Sequence, residues 1–344
     1  MAYTTINKST DHFNTKLYTG TGSAASITGV GFQPDWVWAK DRSSANSHQL
    51  SDAVRGVTKT LFSDATAAEV TDAQRLTAFG ADGFSVGTNS SWNTNSNNYV
   101  SWNWKAGGAG STNTDGNMNS TVTTSANTTA GFSIITWTGS GNTIYNTIGH
   151  GLGEVPKFVI IKNRTDVCDW MVYHHVLGNA SFFHLNTTDN EQAGTGIFNS
   201  TTPTSSVITL GSDNKSNGTN DSMVAYAFAE KIGFSNFGAY GGNNSANGSF
   251  VYTGFKPAFI LIKRNTAGAS WAVVDNKRPG YNETDKYLLP DTSAADQTAQ
   301  IDILSNGFKP RSTSGNFNAA STYYYAAFAE APLVGSNNIA ATAR

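Results

Sequence analysis

The sequence predicts an all-β protein made of three tandem β-sandwich domains. Three observations predict it. Two sequence blocks recur three times at nearly constant spacing, the composition disfavours helices, and short apolar runs are bounded by turn residues.

The first block starts at Gly31 (GFQPDWVWAKDR), Gly151 (GLGEVPKFVIIKNR) and Gly254 (GFKPAFILIKRN). Each copy has Gly, then Pro34, Pro156 or Pro257, then an apolar run closed by Lys40, Lys162 or Lys263. The second block reads YVSWNWKA, MVAYAFAE and YYYAAFAE, and its last large aromatic is Trp104, Phe228 or Phe328. From Pro to that aromatic the separations are 70, 72 and 71 residues. A fixed internal period is the signature of repeated structural units. The repeats divide the chain into 1–107, 131–230 and 231–330, with a Gly/Ser/Thr/Asn-rich linker at 108–130 and a tail at 331–344. The linker is expected to be flexible or to lie along the surface. The second and third units are expected to pack closely.

WVWA, FVII and FILI are short, aromatic and β-branched, the pattern of a central strand buried on both faces. Pro at the strand entrance removes no ladder hydrogen bond. The second block alternates, placing Val100, Trp102 and Trp104 on one face, with Val224, Tyr226, Phe228 and Tyr324, Ala326, Phe328 matching them. These repeated aromatics are expected to form cores. Gly-rich stretches and the DGF and NGF turns at Asp82 and Asn306 read as hairpin loops. Short helices are expected at 65–79 and in DTSAADQTAQIDIL from Asp291.

Of 344 residues only 13% are charged, 38% are apolar and 12% aromatic, and the net charge is -2. Gly, Ser and Asn favour turns over helix interiors, while the aromatics supply cores. No basic run suits nucleic acid, and no segment has the roughly 18 apolar residues of a membrane span. The opening MAYTTINKSTDHFN has no apolar signal core, and Cys168 is the single cysteine. Both fit a protein made in a reducing cytoplasm. The Asn-x-Ser/Thr triplets at Asn127 and Asn247 then read as compositional accidents.

No catalytic motif is found, and no catalytic residue, metal site or cofactor is expected. His174 and His175 are adjacent, so on a strand they point to opposite faces and cannot readily share a metal with His184. Thr114–Asn117 and Ser212–Asp221 are Asp/Asn-rich but match no EF-hand loop. Asp52 and Asp275 recur at matching places, taken by His174 in the second unit, which reads as a turn or a link to Arg55 and Arg278. Glu230 and Glu330 read as solvated strand ends. For sugar stacking the candidates are loop aromatics, Trp92 and Tyr281.

GFQPDWVWAKDRS, SDAVRG, FGADGFSVG and NYVSWNWKAGG resemble a repeated domain of tail-fibre-like and other virion proteins of phages, notably those of marine bacteria and cyanobacteria. The ending YYAAFAEAPLVGSNNIAATAR is similar to the C-terminus of the same proteins. The resemblance covers nearly the whole chain and is weakest in the second unit, which has HHVLG where the others have R-G or R-P-G. It implies jelly-roll, concanavalin/laminin-G-like sandwiches and a structural or adhesive role on the particle, and it carries over no catalytic residue. A tail fibre or host-adhesion module is expected, assembled in the bacterial host cytoplasm. The implied partners are other virion proteins of tail or capsid, a host surface glycan, and further copies of the chain, a trimer being favoured. A head fibre or capsid decoration protein is the alternative, and a polysaccharide depolymerase a third.

Overall fold

The computed structural model describes residues 4–141, 146–266, 268–279, 282 and 284–332. The fold is nearly all β. The expected helices are absent at both places, and the short helices that do form lie elsewhere.

The first repeat holds β1 (Phe13–Thr19), β2 (Ala25–Thr28), β3 (Trp36–Asp41), β4 (Gln49–Asp52), β5 (Lys59–Thr60), β6 (Val70–Thr71), β7 (Leu76–Gly80) and β8 (Gly83–Val86). The one-turn helix α1 (Ser90–Asn93) and β9 (Asn98–Trp104) complete it. The second holds β10 (Ser111–Asn113), β11 (Val122–Asn127), β12 (Phe132–Thr138), β13 (Asn146–Gly149), β14 (Pro156–Asn163), β15 (Met171–His174), β16 (Ser181–His184), β17 (Gln192–Ala193) and β18 (Val207–Leu210). It closes with α2 (Asn214–Asn217) and β19 (Ser222–Ala229). The third holds β20 (Ser235–Gly241), β21 (Val251–Tyr252), β22 (Phe255–Arg264), β23 (Ala272–Asp275), β24 (Thr284–Tyr287), β25 (Gln297–Leu304), β26 (Gly307–Pro310) and β27 (Thr322–Pro332).

One strand order occurs three times: β1-β9-β3-β4, β12-β19-β14-β15 and β20-β27-β22-β23. Each apolar block, β3, β14 or β22, and each second block, β9, β19 or β27, are adjacent strands, both flanked on two sides. The pairs Trp36↔Trp104, Phe158↔Phe228 and Phe259↔Phe328 share one register. This explains the constant spacing, because the chain must leave and return to the same partner. The leading glycines Gly31, Gly151 and Gly254 have φ of 93°, 67° and 83°, in the left-handed region that favours glycine. Pro156 and Pro257 lie at register shifts in their ladders, where a missing N–H is tolerated.

Outside these sheets lie β2-β8-β7, β13-β18 and β21-β26-β25-β24. The DGF and NGF turns lead into β8 and β26. At Gly83 and Gly307 a Cβ would come within 1.9 and 2.0 Å of the Ile27 and Val251 carbonyl oxygens across the ladder, so only glycine fits.

The first and second repeats each keep a cluster of their own, but all three also share a core. Phe13, Trp36 and Trp104 share one buried cluster with Phe132, Phe158 and Phe228 and with Phe237, Phe259 and Phe328. The three closing aromatics form a triangle. Trp104 lies 6.4 Å from Phe228, Phe228 5.4 Å from Phe328, and Phe328 5.5 Å from Trp104. Around it the contacts run cyclically from repeat to repeat. Trp36–Phe132, Phe158–Phe237 and Phe259–Phe13 are each 5.8 Å apart. The cause is simple: each inner sheet is buried on both faces. Its outer face is covered within its own repeat, and its inner face is buried only against the other two repeats.

Two further expectations are corrected. The stretch 108–130 is not a free linker, since β10 and β11 extend the second repeat's sheet to eight strands. Backbone pairing is open to polar residues, and Val122 and Ser125 are buried there. At 65–79 and after Asp291, β6, β7 and β25 replace the expected helices. Ile301 and Ile303 alternate into the core, so tertiary pairing overrides the Ala-rich local preference. The tail at 331–344 lies outside the described residues beyond Pro332.

Candidate functional site

Charged and polar side chains collect at three seams between the repeats, and matching positions are used at each. At the seam of the second repeat with the first, the Tyr226 hydroxyl donates to Asp52 at 2.8 Å and the Trp170 indole N–H to the Phe62 carbonyl at 2.8 Å. Arg164 grips Glu69 with two hydrogen bonds, at 2.8 and 3.0 Å. Where the first repeat meets the third, Trp102 donates to Asp275 at 3.0 Å and Arg42 to Asp296 at 2.9 Å. His48 Nδ1 accepts from Trp38, so Nε2 carries the proton and donates to the Leu289 carbonyl at 3.1 Å.

The third repeat meets the second with the same geometry but swapped chemistry. Ala326 stands where Trp102 and Tyr226 supply donors, so only a backbone acceptor, the Tyr325 carbonyl, is available. Here Asp is replaced by His174, whose Nε2 donates to that carbonyl at 3.1 Å while Nδ1 accepts from the Val176 amide. The departure of the second repeat at HHVLG is thus matched by the loss of the donor in the third. Trp271 keeps the indole contact, donating to the His184 carbonyl at 2.8 Å.

Asp52 and Asp275 order the turns after β4 and β23. Each accepts two backbone amides and the Nε of Arg55 or Arg278. Both arginines reach back to a carbonyl of their own strand, Leu50 or Val273, and bind the next acid, Glu69 or Asp296. Desolvation opposes ionisation of Asp275, but the Arg278 charge and the amides outweigh it and lower its pKa. The closing lysines are equally structural. Lys162 donates to the carbonyls of Thr66, Asp166 and Cys168, and Lys263 to those of Thr187 and Ala269. Burial lowers the pKa of Lys40 and of Lys263 to about 8.

Burial raises the pKa of Asp64 and of Asp291, the property a general acid needs. The second repeat argues against chemistry there. Asp64 accepts the His48 amide at 3.0 Å, and in the matching place Asn186 accepts the Trp170 amide at 2.9 Å. An amide that never ionises fills the same role.

Of the residues expected to contact sugar, Trp92 is fully buried, its ring edge-on to Phe84 in the core under β2 and β8. It lies on α1, capped by the Asn89 side chain, which turns it inward. Tyr281 lies outside the described residues. His174 and His175 point to separate carbonyls, of Tyr325 and Phe237. Among the described residues no group of three His, Cys, Asp or Glu is placed to hold a metal. Asp213 caps α2, and Asp221 accepts from Asn163. Glu330 pairs with Lys256 at 2.6 Å, and Glu230 accepts from Asn236.

Sequence reasoning missed the exposed aromatics. Phe250 is 47% and Tyr252 58% exposed, on the solvent side of β21 and just before it. The usable signal was the comparison of repeats, because Ser26 and Thr28 occupy these places in the first. A second surface feature is a polar groove of about 330 Å³ between 107–113, 124–126 and Gly151, lined by hydroxyls, amides and backbone.

Residues 8–332 match the model of a family described as a domain of unknown function, DUF7483. The chain belongs to the DUF7483 family. The match crosses all three repeats of this DUF7483 chain without a break, in keeping with a single shared core. No curated protein matches it, and no solved structure does.

Proposed function

We propose that this DUF7483 protein is a structural protein of a phage particle, a tail fibre or host-adhesion module exposed on the virion and contacting host glycan. It is not an enzyme in this reading, and each repeat is a jelly-roll-like sandwich. The observation that carries the proposal is the use of the buried ionic groups. Asp52 and Asp275 accept from Tyr226 and Trp102 of another repeat, and Glu69 and Asp296 from Arg164 and Arg42 of another repeat, so these carboxylates join repeats. A depolymerase would need two carboxylates flanking an open sugar subsite. The sequence resemblance to phage virion proteins supplies the location, including assembly in the host cytoplasm.

A trimer enters the proposal only through multivalency, which strengthens weak sugar contacts. One chain already closes a threefold set of sheets around Trp104, Phe228 and Phe328, so the core needs no second copy. A head fibre or capsid decoration protein is the second reading, favoured because no coiled-coil stalk occurs among the described residues. Cryo-electron microscopy of purified particles tests the proposal. Copies on the tail support the first reading and copies studding the shell the second, and absence of the protein from the particle overturns both.

A further inference from the structure

We infer that the solvent face of the third repeat's outer sheet, centred on Phe250 and Tyr252, is a binding site for an anionic glycan. This deepens the adhesive reading and rests on it.

The repeats act as internal controls. β2, β13 and β21 occupy the same place, and each sends one apolar residue inward: Ile27, Ile148 or Val251. The two flanking positions face outward. They are Ser26 and Thr28 in the first repeat, Thr147 and Gly149 in the second, and Phe250 and Tyr252 in the third. Two sibling sheets therefore form without large side chains there. The aromatic pair is surplus to the fold, and it leaves apolar area in water.

In the second repeat this outer position is covered by the chain itself. Gly116 pairs with Ile148, and the Asn117 amide donates to the Thr147 hydroxyl at 2.9 Å. No described segment covers Phe250 and Tyr252 in this way. Gly307 lies opposite Tyr252, and the Phe250 ring lies 3.0 Å from where a Gly307 Cβ would stand. The ring thus leans over bare backbone.

The neighbouring charge selects the ligand. One step back along the β21–β26 register, Phe250 falls opposite Lys309, and Lys309 pairs across to Asp302. Asp302 is neutralised by Arg311 at 3.2 Å. Among the described residues Lys309 has no ion pair, so the register sets an ammonium beside the aromatics. Aromatic rings stack on the C–H faces of pyranose rings, and an ammonium beside them favours a carboxylated sugar such as a uronate.

Titration calorimetry of the full chain with oligoguluronate and with neutral maltotetraose tests this. The expected result is binding of the uronate, weakened roughly tenfold or more in the double variant F250S/Y252T, the loss expected of central aromatic anchors. The substituted residues are those of the first repeat, so melting should not change. K309A should weaken uronate binding while leaving any maltotetraose binding as it was. Undiminished uronate binding by F250S/Y252T would overturn the site and leave the adhesive reading standing. Wild-type protein that ignores both sugars would overturn the site as well. If it also ignored purified host envelope glycan, the adhesive reading would fall with it.

Discussion

The Tyr226 hydroxyl donates a 2.8 Å hydrogen bond to the Asp52 carboxylate, joining residues 174 positions apart across the seam of two repeats. The same carboxylate binds Arg55, and Arg55 also contacts the Tyr226 oxygen at 3.1 Å. All three side chains are fully buried or nearly so. Burial and the Asp52 charge hold the phenol protonated, its pKa well above the ordinary value despite the opposing pull of Arg55. Removing this hydroxyl in Tyr226→Phe strips a buried ion pair of one partner. The expected loss is about 1–3 kcal/mol of folding stability, read from the denaturant midpoint. An unchanged midpoint would show that the seam carries no energy.

Trp104→Ala should be far more damaging. The ring touches Phe13, Trp36, Phe228, Phe259 and Phe328, and so supports all three repeats. Truncating a buried Trp costs about 3–5 kcal/mol. Chemical denaturation should show the loss across the whole chain, with far-ultraviolet and tryptophan signals shifting together. A loss confined to the tryptophan signal would mean that the repeats are energetically separate.

At the Glu69 seam the expected effects are unequal. Glu69 binds both Arg55, whose side chain is fully buried, and Arg164. Glu69→Ala leaves one buried guanidinium short of a partner and should cost about 3 kcal/mol or more. Arg164→Ala leaves Glu69 with Arg55 and should cost roughly 1 kcal/mol. Equal losses in the two variants would contradict this assignment.

Acid should weaken the seams through their buried histidines. Burial lowers the pKa of His174 to about 4 and that of His48 well below its ordinary value. Between about 6.5 and 4 the unfolded chain binds protons that the folded chain refuses, so stability falls as pH falls through that window. For His174 alone the loss is on the order of 3 kcal/mol. His174→Gln, which keeps a side-chain donor, should flatten the midpoint-against-pH curve over this range. A slope unchanged in that variant would remove His174 as its source.

Much of the fold was legible in the sequence. The Pro-to-aromatic spacing exposed the recurring strands, and the pairs Trp36↔Trp104, Phe158↔Phe228 and Phe259↔Phe328 explain it, because a closed excursion has a fixed length. The sharing of one core was not legible. Alternation says that Trp104 faces inward, but not whether inward means its own repeat or the two others. The strands at 111–113 and 122–127 were hidden because a ladder needs only backbone, and Ser, Thr and Asn give no apolar pattern. Trp92 misled because its setting of Ser and Asn reads as exposed loop, whereas the Asn89 cap starts a helical turn that points it inward. Phe250 and Tyr252 were overlooked because their repeat was compared for what it shared with the others and not for what it added.

Differential scanning calorimetry of the intact chain tests the shared core most directly. One aromatic centre fed by three repeats predicts a single transition, with calorimetric and van't Hoff enthalpies in agreement. Two or three resolved transitions, or a calorimetric enthalpy severalfold above the van't Hoff value, would contradict it.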